Sequence, residues 1–192
     1  MTARSLEPGY FDALYAADPD PWRFTTSAYE DAKYRATIAA LPAARYRHGI
    51  EIGCSIGVLT ERLAERCDAL IGIDVAQAAL VAARQRCSAM PHVYFEQAAL
   101  PECVPAGPFD LIMLSEVLYY FDASMMPRIA AAICSVARPC CDIVLVHWLG
   151  PTPDYPLDGD AAVIAFMAAA PWARTIHAER TTDYRLDVLR VT

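Results

Sequence analysis

Apolar positions along this chain fall into two alternating rhythms. From His48 onward, short near-continuous apolar runs are separated by stretches of helical period. Strands buried on both faces and covered by helices read this way. Residues 50–52 end a first strand, and 58–67 form a helix with Leu59, Leu63 and Arg66 in periodic positions. "ALIGIDV" is a second strand, "AQAALVAARQRCSA" a helix, "HVYFEQAA" a third strand and "FDLIMLSEV" a fourth. "MPRIAAAICSVA" is a helix, "DIVLVHW" a fifth strand and "GDAAVIAFMAAA" a helix. "RTIHAE" and "RLDVLRV" close the chain as strands joined by a short turn around Thr182 and Asp183. With no crossover helix between them, these two must pair antiparallel. The pattern predicts an α/β protein: a Rossmann-like, doubly wound, mostly parallel seven-stranded sheet with a C-terminal antiparallel strand.

Upstream lie two helical patterns separated by the turn-rich "DPDPW". "GYFDALYAA" sets Tyr10, Phe11, Leu14 and Tyr15 on one face. "TSAYEDAKYRATIAAL" runs from a Thr26 or Ser27 cap to a stop at Leu41-Pro42 and groups Tyr29, Lys33 and Tyr34. Residues 1–45 are expected to form a helical lid within the same domain as a core at 46–192.

Composition narrows the partners. The chain has 192 residues, 56% apolar and 20% charged, as in a single globular domain. A net charge of −7 argues against a nucleic-acid partner. No polybasic run marks a membrane surface. The longest apolar run, 161–173, is too short to span a bilayer, and the N-terminus has no apolar signal-peptide segment. Seven cysteines without C-x-x-C spacing favour free thiols over disulfides or a metal site. A cytoplasmic monomer or weak dimer is expected.

Candidate chemistry gathers at "EIGCSIG", which ends the first strand and opens a helix. Ligands of open α/β sheets bind beyond the carboxyl ends of the strands, where strand order reverses. Gly53 and Gly57 allow close backbone approach, and the helix start offers free N–H groups. The spacing is G-x-x-x-G, not the dinucleotide G-x-G-x-x-G. Glu51 before the turn suits an amino group rather than a pyrophosphate. Asp74, 17 residues after Gly57, can accept two ribose hydroxyls. A ribonucleoside with an amino-acid tail and no phosphate is S-adenosyl-L-methionine, whose product after methyl donation is S-adenosyl-L-homocysteine.

The segments "DPW" with "RF", "IEIGCSIGVLTERLA", "IGIDVAQAALVAARQRC" and "FDLIMLSEVLYYF" resemble class I S-adenosylmethionine-dependent methyltransferases, in the NodS-like branch of nodulation N-methyltransferases. The resemblance covers most of residues 15–125. It implies N-methylation of an amine on a small molecule or amino sugar, with a saccharide as the first candidate acceptor. Carried over, Glu51, Gly53, Cys54 and Gly57 form the cofactor turn, Asp74 holds the ribose and Val75 packs on the adenine. Trp22 and Arg23 cover the methionine end, with Arg23 facing its carboxylate. Tyr29 helps close that lid, and Ala98 and Ser115 complete the cofactor set. Glu116 faces the transfer site, with Tyr119 and Tyr120 just beyond. Two departures stand out. "EQAALPE" has Ala98 and Ala99 where such enzymes commonly carry an adenine-binding Asp, leaving Gln97 or the backbone as substitutes. "PCC" replaces the usual Pro-Gly-Gly turn before the fifth strand, so this stretch must avoid positive φ or tolerate strain.

An amine acceptor arrives as an ammonium and must lose a proton before it reacts; a carboxylate or imidazole near the methyl would help remove it and steady the positive charge developing on nitrogen. Glu116 and His147, at adjacent strand ends, are the candidates, with Tyr119 beside them. Tyr120, Trp148 as a flat face for a sugar ring, and Asp154 in the acidic "PTPDYPLDGD" stretch are expected on the acceptor side. Two alternatives remain open: O-methylation of a small metabolite, and a non-catalytic cofactor-binding or partner subunit.

Overall fold

The computed structural model describes residues 4–192. Its sheet has seven strands: β1 (Gly49–Ile52), β2 (Leu70–Asp74), β3 (Val93–Gln97), β4 (Phe109–Ser115), β5 (Ala137–Trp148), β6 (Ala173–Arg180) and β7 (Tyr184–Val191). Their spatial order is β3-β2-β1-β4-β5-β7-β6. Pairings from β3 to β5 are parallel, whereas β7 runs antiparallel to both β5 and β6. The predicted fold class is the observed one. Strand order reverses between β1 and β4, and a crevice opens there at the carboxyl ends.

The helices are α1 (Pro8–Ala17), α2 (Ala28–Ala39), α3 (Val58–Ala64), α4 (Gln77–Arg86), α5 (Met126–Val136) and α6 (Gly159–Ala169). Local chemistry sets several starts. The Ser27 hydroxyl accepts from Glu30 N at 3.2 Å and caps α2. Asp158 does the same for α6, accepting from Ala161 N at 2.7 Å. In α5, Met126, Ile129, Ala130 and Ile133 form a buried i, i+3, i+4, i+7 stripe.

β4 explains why the core has two layers. Ile112 and Leu114 pack into one apolar cluster, with Ile143 and Phe166. Leu111 and Met113 face the other, with Leu63 and Val144. Period-two alternation with both faces buried produces the unbroken apolar run. Asp110 interrupts it at low cost, because its carboxylate accepts Arg47 N at 3.0 Å and His48 N at 2.9 Å.

β5 is longer than the sequence suggests, starting at Ala137 rather than near Asp142. The "PCC" stretch lies inside it. Cys140 takes φ +62°, and the β4–β5 register shifts between Phe109 and Leu111. The chain therefore tolerates a left-handed cysteine, a cost of about 1–2 kcal/mol.

Candidate active site

One cavity of about 1420 Å³ lies over the strand ends, from Asp74 past the β1 turn to Glu116 and an aromatic wall. Its two ends are built differently.

At the Asp74 end the main chain does the shaping. Gly53 (φ +74°), Ser55 (φ +51°) and Gly57 (φ +79°) turn the backbone after β1. Asp74 closes the turn: Oδ2 accepts Ser55 N at 2.8 Å and Oδ1 accepts Ala76 N at 2.9 Å. Burial lifts its carboxyl above the usual range, and these N–H bonds only partly oppose that. Glu51 is 2% exposed and accepts the Thr60 hydroxyl at 2.5 Å. Burial, opposed by Thr60 and reinforced by Asp74, pushes Glu51 up to about 8. Val75, Cys54, Ala98 and Ser115 line the same stretch.

At the other end side chains form a charge cluster. Lys33 on α2 is 1% exposed and is the only lysine in the chain. Its Nζ donates to Glu30 Oε1 at 3.0 Å and to Glu116 Oε1, and stands 5.0 Å from the Tyr29 ring centre. Burial pulls this ammonium down, but Glu116 and Glu30 outweigh it and hold it above its usual value. Glu116, at φ +56°, also accepts the Tyr119 hydroxyl at 2.7 Å and Trp148 N at 2.9 Å on Oε2. Burial favours its neutral form, yet Lys33 and these donors leave the carboxyl below its ordinary range, hence ionised.

Aromatic rings wall the acceptor side. Tyr119 stacks on Tyr155 at 5.2 Å, Tyr120 meets Phe11 edge-on at 4.8 Å, and Trp148 meets Tyr29 at 5.3 Å. Near the turn, Trp22 stacks on Phe24 and contacts Tyr15, whose hydroxyl bonds Ser55 Oγ.

The family model for nodulation protein S (NodS) matches residues 13–144, more than half of the chain. The chain belongs to the NodS family. Nodulation protein S of Sinorhizobium fredii is 34% identical over 107 residues, 55% of this chain and 50% of that protein. Its counterpart in Bradyrhizobium diazoefficiens is 35% identical over 106 residues, 53% and 49% respectively. The chain thus spans about half the length of these nodulation relatives. A crystal structure of a putative methyltransferase from Pseudomonas syringae is 36% identical, with TM-score 0.75, over 85% of this chain and 99% of that one. Another, of the N-methyltransferase NodS from Bradyrhizobium japonicum WM9 with S-adenosyl-L-homocysteine, superposes with TM-score 0.82 at 22% identity over 95% and 97%. At that identity the likeness establishes the fold.

This NodS-family chain brings most of the sequence-predicted residues to its cavity. Trp22, Tyr29, Glu51, Gly53, Cys54, Asp74, Val75, Ala98, Ser115, Glu116, Tyr119, Tyr120, Trp148 and Asp154 all line it. Three do not, and each has a physical reason. Arg23 points to solvent and pairs with Asp18 at 2.8 Å, held by a left-handed φ of +60°. Gly57 faces α4, where a Cβ would meet the Ala83 backbone at 3.0 Å, so its smallness serves helix packing. His147 is fully buried behind Glu116, its Nε2 accepting Leu118 N at 3.1 Å. Burial brings it down to about 4, and its place outside the cavity lining, with Nε2 taken by Leu118 N, sets it apart from the transfer site where sequence reasoning put it.

Two smaller expectations also change. Gln97 donates to the Val75 carbonyl at 2.8 Å instead of lining the cavity. Asp158 is consumed as a helix cap and Asp160 by Arg180 and Arg185, leaving Asp154 as the acid of that stretch that is exposed on the cavity. Sequence reasoning missed Glu30 and the ion pairing of Lys33. The only signals were the grouping of Tyr29, Lys33 and Tyr34 and the scarcity of lysine.

Proposed function

We propose that this chain is an S-adenosylmethionine-dependent methyltransferase acting on an amine, with an amino sugar or its oligomer as first candidate acceptor. The observation that carries this reading is a single cavity joining a strand-end acid, Asp74, to a buried charge cluster around Glu116. Its volume exceeds the roughly 300–1,000 Å³ usual for one small ligand, leaving room for cofactor and acceptor together. The residues present fit the cofactor. Asp74 keeps lone pairs free for ribose hydroxyls after accepting two N–H groups. Val75 and Ala98 offer an apolar seat for adenine, and Glu51, Gly53 and Ser115 surround the amino-acid end. When bound, S-adenosylmethionine supplies an already activated sulfonium methyl.

The chain's own groups then have limited work. Residues 8–39 of α1 and α2 act as a lid, since Tyr15, Trp22, Tyr29 and Tyr34 form its inner surface and exclude water. Ionised Glu116 steadies positive charge developing on the acceptor nitrogen. Tyr120, Tyr155 and Trp148 give flat apolar faces to a sugar ring, and Asp154 attracts an ammonium to the mouth. Among the described residues no helix is long and apolar enough to cross a membrane. Free cysteines, four of them buried, support a reducing cytoplasm.

Isothermal titration with S-adenosyl-L-homocysteine is the first test. Binding by the wild type and its loss in Asp74→Ala support the reading; no binding by the wild type overturns it. Transfer of labelled methyl to chitosan oligomers, but not to their N-acetylated or hydroxyl-only counterparts, tests the acceptor.

A further inference from the structure

A ligand with an amino-acid tail brings one anionic group, and most donors on the cavity wall are already taken. Among the described residues, the side-chain cations on that wall are Arg4 and Lys33. Lys33 pairs with Glu30 and Glu116. Arg4 adjoins a segment pinned to the loop after β4, where Ser5 Oγ donates to Asp122 Oδ2 at 2.7 Å and Leu6 N to the Tyr120 carbonyl at 2.8 Å. The main-chain donors of the β1 turn are engaged too. Gly53 N and Cys54 N donate to the Ile73 carbonyl at 2.8 and 2.9 Å, Ser55 N to Asp74, and Gly57 N to the Cys54 carbonyl at 3.0 Å.

What the turn still offers is a pair of hydroxyls. Tyr15 on α1 bonds Ser55 Oγ, and both residues line the cavity. Two hydroxyls carry two protons and the bond between them uses one, so either arrangement leaves one donor over. Ser55 is half-buried, so the pair is open to the cavity. Burial and the nearby Asp74 raise the Tyr15 phenol, which keeps it protonated and a donor. Ser55 also holds φ +51°, a left-handed value that costs a non-glycine residue about 1–2 kcal/mol. A glycine would avoid that cost but would lack the hydroxyl.

We propose that the Tyr15–Ser55 hydroxyl pair receives the carboxylate of the cofactor's amino-acid tail, in the role that sequence gave to Arg23. This assignment rests on the methyltransferase reading above. On binding, the bond between the two hydroxyls opens and both donate to the carboxylate, a charge-assisted arrangement stronger than the one it replaces. Neutral donors suit this place. A cation here would pair with Asp74 or Glu51, whereas hydroxyls leave Asp74 to the ribose. They leave Glu51, which has only the Thr60 hydroxyl, to the ammonium of the same tail. Tyr15 thereby ties α1 to the cofactor.

Titration calorimetry with three ligands tests this: S-adenosyl-L-homocysteine, its decarboxylated analogue, which keeps the amine, and 5′-methylthioadenosine, which lacks the whole tail. Tyr15→Phe and Ser55→Gly each remove one hydroxyl, and glycine accepts the left-handed φ, so folding is not at risk there. Each variant should bind S-adenosyl-L-homocysteine about tenfold more weakly, as one lost hydrogen bond to a charged group implies. Affinity for the other two ligands should stay within about twofold. Unchanged affinity for S-adenosyl-L-homocysteine in either variant, or a loss shared by all three ligands, overturns the assignment. Failure of wild type to bind S-adenosyl-L-homocysteine is a different result; it overturns the proposed function and this role with it.

Discussion

The two ends of the cavity solve the same problem, presenting carboxylates to a ligand, by opposite means. At the Asp74 end a short piece of chain suffices: β1, the turn and β2 lie within about 25 residues, and backbone N–H groups hold the acid. At the Glu116 end the acid is held by Lys33, 83 residues away, and by Trp148 N, 32 residues away. The first end is a local device that the sheet alone positions. The second exists only when α2 sits on the sheet. Removing one partner should therefore be costlier at the second end, and binding should be more sensitive at the first.

The largest effect expected is from Lys33→Ala. It leaves Glu30 and Glu116 buried together without a cation, and should remove about 3–5 kcal/mol of unfolding free energy in urea. A loss below about 1 kcal/mol would mean that the two acids relax to water and the cluster is not a structural joint.

Next comes Glu51. Its folded carboxyl sits at about 8, against 4.5 ordinarily. Below about pH 4.5 both folded and unfolded states keep the proton and no penalty exists. As pH rises toward 8 the unfolded chain releases it and the folded one does not, so ligand-free stability falls by up to about 4 kcal/mol. Glu51→Gln cannot titrate and should flatten this dependence in urea unfolding at pH 5, 6.5 and 8.

Asp74→Ala should weaken S-adenosyl-L-homocysteine by roughly 100-fold, or about 3 kcal/mol, from two lost hydroxyl contacts. Calorimetry that finds less than a fivefold change places the ribose elsewhere. The smallest effect belongs to Arg23→Ala. Its pair with Asp18 is exposed, so both stability and ligand affinity should shift by less than about 0.5 kcal/mol. A large loss of affinity would restore it as the carboxylate partner expected from sequence.

These contrasts also explain what the sequence disclosed. The sheet, its antiparallel end and the Glu51–Asp74 device are readable because each depends on residues near one another in the chain: apolar periodicity, a glycine turn, an acid at a strand end. Glu116 was readable as a strand-end acid for the same reason. Its saturation by Lys33, Tyr119 and Trp148 N was not, because no local pattern encodes which helix face lies on which strand end. His147 misled for a related cause. A strand-end histidine looks the same in sequence whether its ring faces a cavity or, as here, turns back to cap the Leu118 N–H. Arg23 misled because its guanidinium lies in solvent, paired with Asp18, rather than on the cavity wall that Trp22 next to it lines.

The solitary lysine has a practical use. With Lys33 at 1% exposure, an amine-directed reagent applied to the folded protein finds no lysine side chain to modify. A label on Lys33 therefore times each excursion of α2 away from the sheet. A mass spectrometer reading that adduct on Lys33 with and without ligand would serve as a clock for the opening of the cavity's entrance.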